Sequence, residues 1–282
     1  MVVVLLLLAL LALLIYGYRL GNRNTSDITI QHINALTSES TNSLNLSVLH
    51  LSDLHLENIS ITPDELYEKV KSKPVDLIAL TGDFLDRTRT IPKLTAYLEV
   101  LKRLNPTYGT YAVFGNHDYV LRTKSFQKLQ HLLEEYGCKT LKNESIEIQT
   151  DQGMLQIIGI DDFSTNRSDI KSSYKNVGEG FKLVLTHDPN VVMHMKDYHF
   201  DYLLSGHFHG GQICWPKPYH LVKMGKLVRL NMVKGLHYYD GKPFYISEGL
   251  GQTGVNIRVG SRPEITFHTL PVSETRTLSF SS

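Results

Sequence analysis

Five short apolar runs in this chain stop on polar clusters of one kind. They are "LSVLHLSDLHL", "VDLIALTGDF", "YAVFGNHDY", "FKLVLTHDP" and "DYLLSGHFHGG", and each passes from an apolar stretch into a polar cluster that holds Asp, Asn or His. Strands buried on both faces of a sheet read as continuous apolar runs, not as alternation, so these runs predict interior strands. Helical patterns lie between them. "TPDELYEKVKSK" opens with Thr, Pro and acidic residues, "IPKLTAYLEVLKRL" spaces its apolar residues by three and four, and "KSFQKLQHLLEEYG" does the same and stops on Gly137. After about residue 140 the pattern is richer in strands, with "SIEIQT", "MLQIIGI", "KPFYISEGL" and "EITFHTL" set apart by turns. This order predicts an α/β domain of two packed sheets flanked by helices.

The polar clusters carry the chemistry. They hold Asp53 and His55, Asp83, Asn116 and His117, His187, and His207 and His209. Ligands of open α/β sheets collect beyond the carboxyl ends of the strands, so residues spread over more than 150 positions of sequence are expected to meet there. Residues i and i+2 of an extended chain point the same way, roughly 6.5–7 Å apart. On that spacing Asp53 with His55, and His207 with His209, serve two ions about 3.5–4 Å apart, with Asp83 shared between them. Imidazole, carboxylate and amide oxygen together suit Zn, Mn or Fe better than Ca. Gly82, Gly115, Gly206, Gly210 and Gly211 flank these residues, where a side chain is expected to obstruct the site.

The ordered set D-x-H, G-D, G-N-H-D and G-H-x-H, with a lone histidine between the last two, resembles the calcineurin-like metallophosphoesterases from about Val48 onward. "GHFHGGQI" and "ISEGLGQTGVNIRVGSRPEI" resemble its branch of membrane-associated or exported bacterial enzymes, the YkuE- and YaeI-like proteins and chlamydial-type UDP-2,3-diacylglucosamine hydrolases. The resemblance implies a four-layer α/β/β/α sandwich of two mixed sheets and a binuclear site that hydrolyses a phosphodiester or pyrophosphate. It implies that Asp53, His55 and His209 hold one metal, that Asp83 bridges, and that Asn116, His187 and His207 hold the other. It further implies that His117 protonates the leaving oxygen and that Asp118 orients the His117 imidazole. The commonest lipid A enzyme of the superfamily has Arg where this chain has His117. UDP-2,3-diacylglucosamine is one expected substrate and a broad range of nucleotides or cyclic nucleotides is the alternative. A scaffold without activity is disfavoured because every position of the pattern is filled.

The opening "MVVVLLLLALLALLI" has no charge and continues through Tyr16 and Tyr18 to Leu20, close to the ~20 residues that span a bilayer. It lacks the basic start and small-residue cleavage site of a signal peptide, so residues 1–20 are expected to be an uncleaved single-pass anchor, with a signal sequence as the alternative. Arg19 and Arg23 favour a catalytic domain on the cytoplasmic side, with an extracytoplasmic one as the alternative. Residues 21–44, rich in Asn, Ser and Thr, read as a polar linker in which "ITIQHI" is a candidate edge strand, and residues 45–282 as the catalytic domain. With 29 basic and 28 acidic side chains the chain has no global field to hold nucleic acid.

Cys138 and Cys214 match no zinc ribbon and read as free thiols. His194 and His199 read as residues of a helix beyond the site, Asp161 and Asp162 equally as a turn or as groups near the site, and Arg87, Arg89, Arg258 and Arg262 as solvated charges, with pairing to a substrate phosphate as the alternative. Trp215 is expected to pack against the sheet or line the cleft.

Overall fold

All five apolar runs become strands, and all five polar clusters fall just past the strand ends. The computed structural model describes residues 1–35 and 45–272. In chain order the elements are helix α1 (Val2–Arg23), strands β1 (Thr29–Asn34) and β2 (Leu46–Leu51), α2 (Pro63–Val70), β3 (Leu77–Thr81), α3 (Ile91–Arg103), β4 (Thr110–Val113) and α4 (Thr123–Glu135). There follow β5 (Cys138–Thr140), β6 (Glu144–Thr150), β7 (Gly153–Gly159), α5 (Ile170–Ser173), β8 (Phe181–Leu185), β9 (Tyr202–Ser205), α6 (Lys226–Arg229), β10 (Gly235–Tyr239), β11 (Lys242–Ile246) and β12 (Glu264–Leu270).

The strands form two six-stranded mixed sheets. One has the order β1-β12-β2-β3-β4-β5 and the other β10-β11-β9-β8-β7-β6. In the first, β2, β3, β4 and β5 run parallel; in the second, β7, β8, β9 and β11 do. Three apolar layers follow. Leu46, Val48, Leu77, Leu183, Tyr202 and their neighbours fill the space between the sheets. Leu66, Leu94, Leu98, Leu129 and Leu133 from α2, α3 and α4 cover the outer face of the first sheet. Val191, Val192, Leu227 and Val228 cover the second. The result is the four-layer α/β/β/α sandwich, although its second helical layer consists of short helices and 3-10 turns.

Local chemistry accounts for the helix boundaries. Thr62 Oγ1 accepts from the Glu65 N–H at 3.2 Å, and the Glu65 carboxylate accepts from the Thr62 N–H at 2.8 Å. This capping box starts α2 at Pro63. The expected helix around His194 is instead a 3-10 turn, Pro189–His194, begun by the Asp188 side chain accepting from the Asn190 N–H.

The candidate edge strand in "ITIQHI" forms. Thr29–Asn34 pairs in parallel with β12 at the edge of the first sheet, so the globular fold takes in part of the segment read as linker. A mixed sheet accepts such an edge strand, and its side chains are all exposed or half-buried, as an edge position allows. Residues 36–44 and 273–282 lie outside the described residues.

Candidate metal centre

The loops that follow β2 and β3 stay paired beyond the strands. Asp53 N–H donates to Gly82 O at 3.0 Å, His55 N–H to Asp83 O at 3.0 Å, and Leu56 N–H to Phe84 O at 3.1 Å. Two bonds then stitch one sheet to the other. The His207 N–H donates to the Asp53 carboxylate at 3.1 Å, and His187 Nδ1 donates to Thr81 O at 2.7 Å. The ends of β2, β3, β8 and β9 are thereby held together, and the His117 N–H, donating to Asp83 Oδ1 at 2.8 Å, adds the end of β4.

The extended geometry expected for D-x-H and H-x-H is absent. Asp53 (φ 50°), His55 (φ 37°), Asp83 (φ 54°), His207 (φ 77°) and His209 (φ 51°) all occupy the left-handed region. Such residues cost of order 1–3 kcal/mol each and persist where the surroundings over-determine them. The pairs are therefore aimed by tight turns. His207 and His209 do point to different partners: His209 Nε2 lies 3.3 Å from Asp53 Oδ1, while His207 Nδ1 lies 3.1 Å from His187 Nε2. Two glycines make the crowding possible, since a Cβ on Gly206 would collide with the Ser52 hydroxyl and Asp53 carboxylate, and one on Gly115 with the Asp83 carboxylate. Gly210 and Gly211 have another role, lying against the Glu248 side chain and against Pro218 and Cys214.

Asp53, His55 and His209 offer ligand atoms within 4.8 Å of one another, and so do Asp53, Asp83 and His187. Asp83 Oδ2 stands 3.4 Å from His55 Nε2 and 3.1 Å from His187 Nε2, between the two groups. The residues fit metal ions by an independent criterion. His55 Nε2 and Asn116 Oδ1 are buried without a hydrogen-bond partner, which a buried polar atom rarely tolerates. His55, His187 and His209 each commit Nδ1 to an acceptor, the Asp86 carboxylate at 3.0 Å, Thr81 O at 2.7 Å and Gly251 O at 3.2 Å, and turn Nε2 toward the Asp53 and Asp83 carboxylates. Metal-binding histidines are held in this way by an acceptor on the other ring nitrogen.

Burial alone would raise the pKa of Asp83, but His187 and His55 hold its carboxyl well below the usual carboxylate range. Behind Asp53 runs a buried chain of hydrogen bonds: Ser52 Oγ donates to Asp53 Oδ2 at 2.6 Å, Thr81 Oγ1 donates to Ser52 Oγ at 2.7 Å, and His50 Nε2 meets Thr81 Oγ1 at 2.8 Å.

Asp118 does not orient His117. Its buried carboxylate accepts from the backbone N–H groups of Asp83, Phe84 and Gly115, each at 2.9 Å, and so shapes the two loops. The partner of His117 is Asp86, whose Oδ1 lies 3.1 Å from His117 Nδ1 and 3.0 Å from His55 Nδ1. Burial alone would lower the His117 pKa, but Asp86 and Asp83 raise it above the ordinary imidazole value. The signal for Asp86 was its position three residues after Asp83 in "GDFLDR".

Arg258 was also missed. Instead of a solvated charge it is fully buried, donating to the carbonyls of His209, Glu248, Gly249, Gly251 and Arg262 at 2.7–3.3 Å. Asp161 accepts from Tyr119 Oη at 2.6 Å and Asp162 closes a turn with Ser164 and Thr165, so neither touches the site. Cys138 and Cys214 are free thiols.

A cavity of about 250 Å³ opens over the cluster, with Asp83, Asn116, His117, His207 and His209 on one side and Ile213, Leu221, Met224 and Val255 on the other. His207 and Met224 also line a neighbouring cavity of about 770 Å³ that contains Lys223 and Lys226.

Residues 46–211, the span that bears all of these ligand-type residues, match the family model for calcineurin-like phosphoesterases. The chain belongs to the calcineurin-like phosphoesterase family. It is 63% identical over 272 residues to the uncharacterised metallophosphoesterase YkoQ of Bacillus subtilis (strain 168), covering 95% of this chain and 99% of the relative. It is 29% identical over 231 residues to the phosphodiesterase YaeI of Escherichia coli (strain K12), covering 80% and 82%. The UDP-2,3-diacylglucosamine pyrophosphatase LpxG of Chlamydia muridarum (strain MoPn / Nigg) is 28% identical over 276 residues, covering 78% and 82%. This calcineurin-like phosphoesterase is thus a hydrolase of phosphoesters, of a dimetal-dependent family, with clustered His and Asp groups suited to metal ions.

Proposed function

We propose that this phosphoesterase is anchored by residues 1–20 and hydrolyses a phosphodiester or pyrophosphate at the membrane or cell envelope. Two observations support the reading. Helix α1 carries no charge from Val2 to Tyr18 and is exposed there, with mean hydropathy 2.4 over a span long enough to cross a bilayer. The metal-centre cavity adjoins a second one three times its size, room for the groups on either side of a diester phosphorus rather than for a phosphate alone. UDP-2,3-diacylglucosamine, the substrate class in the name of LpxG, is one candidate. Arg19 and Arg23 at the end of the apolar segment favour a cytoplasmic active site.

In this reading Asp53, His55 and His209 hold one ion, Asn116, His187 and His207 the other, and Asp83 serves both. The ions are Mn, Fe or Zn, consistent with the mixed imidazole, carboxylate and amide donors. Bound metals at such a centre supply Lewis acidity toward the phosphoryl oxygens and the attacking water. The chain's own residues do the rest. His117, held through Nδ1 by Asp86, carries at Nε2 the proton that the leaving oxygen takes. Ile213, Leu221 and Met224 line the cavity and limit water beside the reacting phosphate.

The single observation that carries the binuclear assignment is Asp83 lying within 3.4 Å of both His55 and His187. Metal analysis of the wild type is expected to give two ions per chain. Asp83→Ala is expected to lose at least one, and His117→Ala to keep both while turnover falls about 10²- to 10⁴-fold. Full metal content and activity in Asp83→Ala would overturn the assignment. A panel of a nitrophenyl diester, a monoester, cyclic nucleotides and UDP-diacylglucosamine separates the envelope reading from a broad nucleotide phosphodiesterase, which would prefer the lipid-free nucleotides.

A further inference from the structure

The end of the apolar helix and the rim of the metal-centre cavity are one piece of structure. Gly21 O accepts from the Arg258 N–H at 2.8 Å, Asn22 Nδ2 donates to Asn256 O at 2.8 Å, and Asn24 Nδ2 donates to Arg258 O at 2.8 Å. Gly21 lies against Ile257, so closely that a Cβ there would stand 3.0 Å from the Ile257 Cβ. The same loop carries Val255, which lines the cavity and whose carbonyl accepts from the Ile257 N–H at 2.8 Å. Beside it, Gln212 Nε2 donates to Thr253 O and Val255 O, and the Cys214 N–H donates to Val259 O at 2.7 Å. Residues 212–214, which open the 212–230 segment, are therefore laid directly along the loop that receives the helix.

That segment and its continuation have an unusual surface. Ile213, Trp215, Tyr219, Val222 and Leu230 are exposed, Trp215 by 78% and Tyr219 by 65%, in a chain whose other apolar side chains mostly enter the three core layers. No acidic residue occurs between Asp201 and Asp240, while Lys217, Lys223, Lys226, Arg229 and Lys234 do. Lys234 pairs with Glu248 at 3.1 Å. The other four are exposed and have no carboxylate partner among the described residues. Exposed Trp, Tyr and aliphatic residues interleaved with unpaired Lys and Arg have the composition of an interfacial surface on anionic lipid.

We infer that the 212–230 rim lies in the headgroup layer of an anionic membrane, on the leaflet from which the N-terminal helix emerges, so that the metal-centre cavity opens at the lipid surface. This rests on the anchor reading above. The helix brings the rim to the bilayer, the apolar side chains enter the interface, and Lys217, Lys223, Lys226 and Arg229 meet lipid phosphates. A phosphoester carried on a lipid then enters the cavity without leaving the membrane plane, past Ile213 and Val255.

Trp215 is the only tryptophan of the chain and reports on the rim directly. The full-length protein is reconstituted into vesicles with 30% anionic lipid, washed with alkaline carbonate, and its fluorescence read with acyl-brominated lipid and with aqueous iodide. The expected result is retention through the wash, strong quenching by brominated lipid and weak quenching by iodide. A second protein carrying Lys217→Glu and Arg229→Glu is expected to lose at least half of the lipid quenching while hydrolysing a soluble nitrophenyl diester at the wild-type rate. Protein washed off by carbonate overturns the anchor reading, and this inference with it. Protein that is retained but shows iodide-sensitive, lipid-insensitive Trp215 overturns the inference alone and leaves the anchor standing. Unchanged lipid quenching in the double variant overturns the role of the basic residues.

Discussion

Replacing Arg258 with alanine tests how the metal-centre loops are held. The guanidinium is fully buried and binds five carbonyls: Nη1 reaches His209, Glu248 and Arg262 at 3.3, 2.7 and 3.1 Å, and Nη2 reaches Gly249 and Gly251 at 2.9 and 2.7 Å. A hydrogen bond to a charged group contributes about 1.5–3 kcal/mol, so simple addition over the five would give roughly 7–15 kcal/mol, as much as the ~5–15 kcal/mol stability of a whole domain. Two opposing effects reduce this. Burial costs the charged form enough to lower the Arg258 pKa to about 10, and the bonds share one group and are not independent. Losing one side of a buried charged network typically costs about 3–5 kcal/mol, and that is the expected destabilisation of Arg258→Ala.

The effect should also be local to the site. Gly251 O accepts from both Arg258 Nη2 and His209 Nδ1, so the loss releases the acceptor that sets the His209 ring. Metal affinity is expected to fall about 10- to 100-fold, the usual effect of removing an outer partner of a metal ligand. Denaturant unfolding gives the first quantity and calorimetric Mn titration the second. Arg258→Lys guards against a variant that fails to fold, because its single ammonium can satisfy only part of the carbonyl set and should fall between the two. Unfolding within about 1 kcal/mol of wild type, with unchanged metal affinity, would refute this account of the bracket.

Two further outcomes are expected. Asp86→Asn should lower kcat about 10- to 100-fold with KM little changed, read by steady-state kinetics on a soluble diester, because one carboxylate holds both His55 and His117. Burial pushes the Glu264 carboxyl up to about 7, so the folded state keeps a proton that the unfolded chain releases. This contribution is full below the ordinary carboxylate range and is lost as pH rises toward 7. Glu264→Gln should therefore shrink the difference in unfolding free energy between pH 5 and pH 8 by about 2–3 kcal/mol, measured by urea titration at both values.

The ligand-type residues were legible in the sequence because each follows a buried strand within a few positions, and strand and turn signals act over that range. The helices were legible for the same reason, as in the Thr62–Glu65 capping box. The edge strand Thr29–Asn34 was harder to assign, since its partner Glu264–Leu270 lies more than 200 residues away and only pairing makes it a strand.

By itself the sequence determined which residue types gather past the strands, in what order, and that the chain carries an apolar segment of membrane-spanning length. Tertiary structure alone decided the rest. It turned Arg258 from a presumed surface charge into a buried bracket, gave His117 its partner in Asp86 rather than Asp118, bent the D-x-H and H-x-H pairs into left-handed turns, and set the helix end against the cavity rim. These features depend on which backbone groups are left to be satisfied where separate loops meet. That demand exists only once both sheets are packed, so no local pattern of residues encodes it.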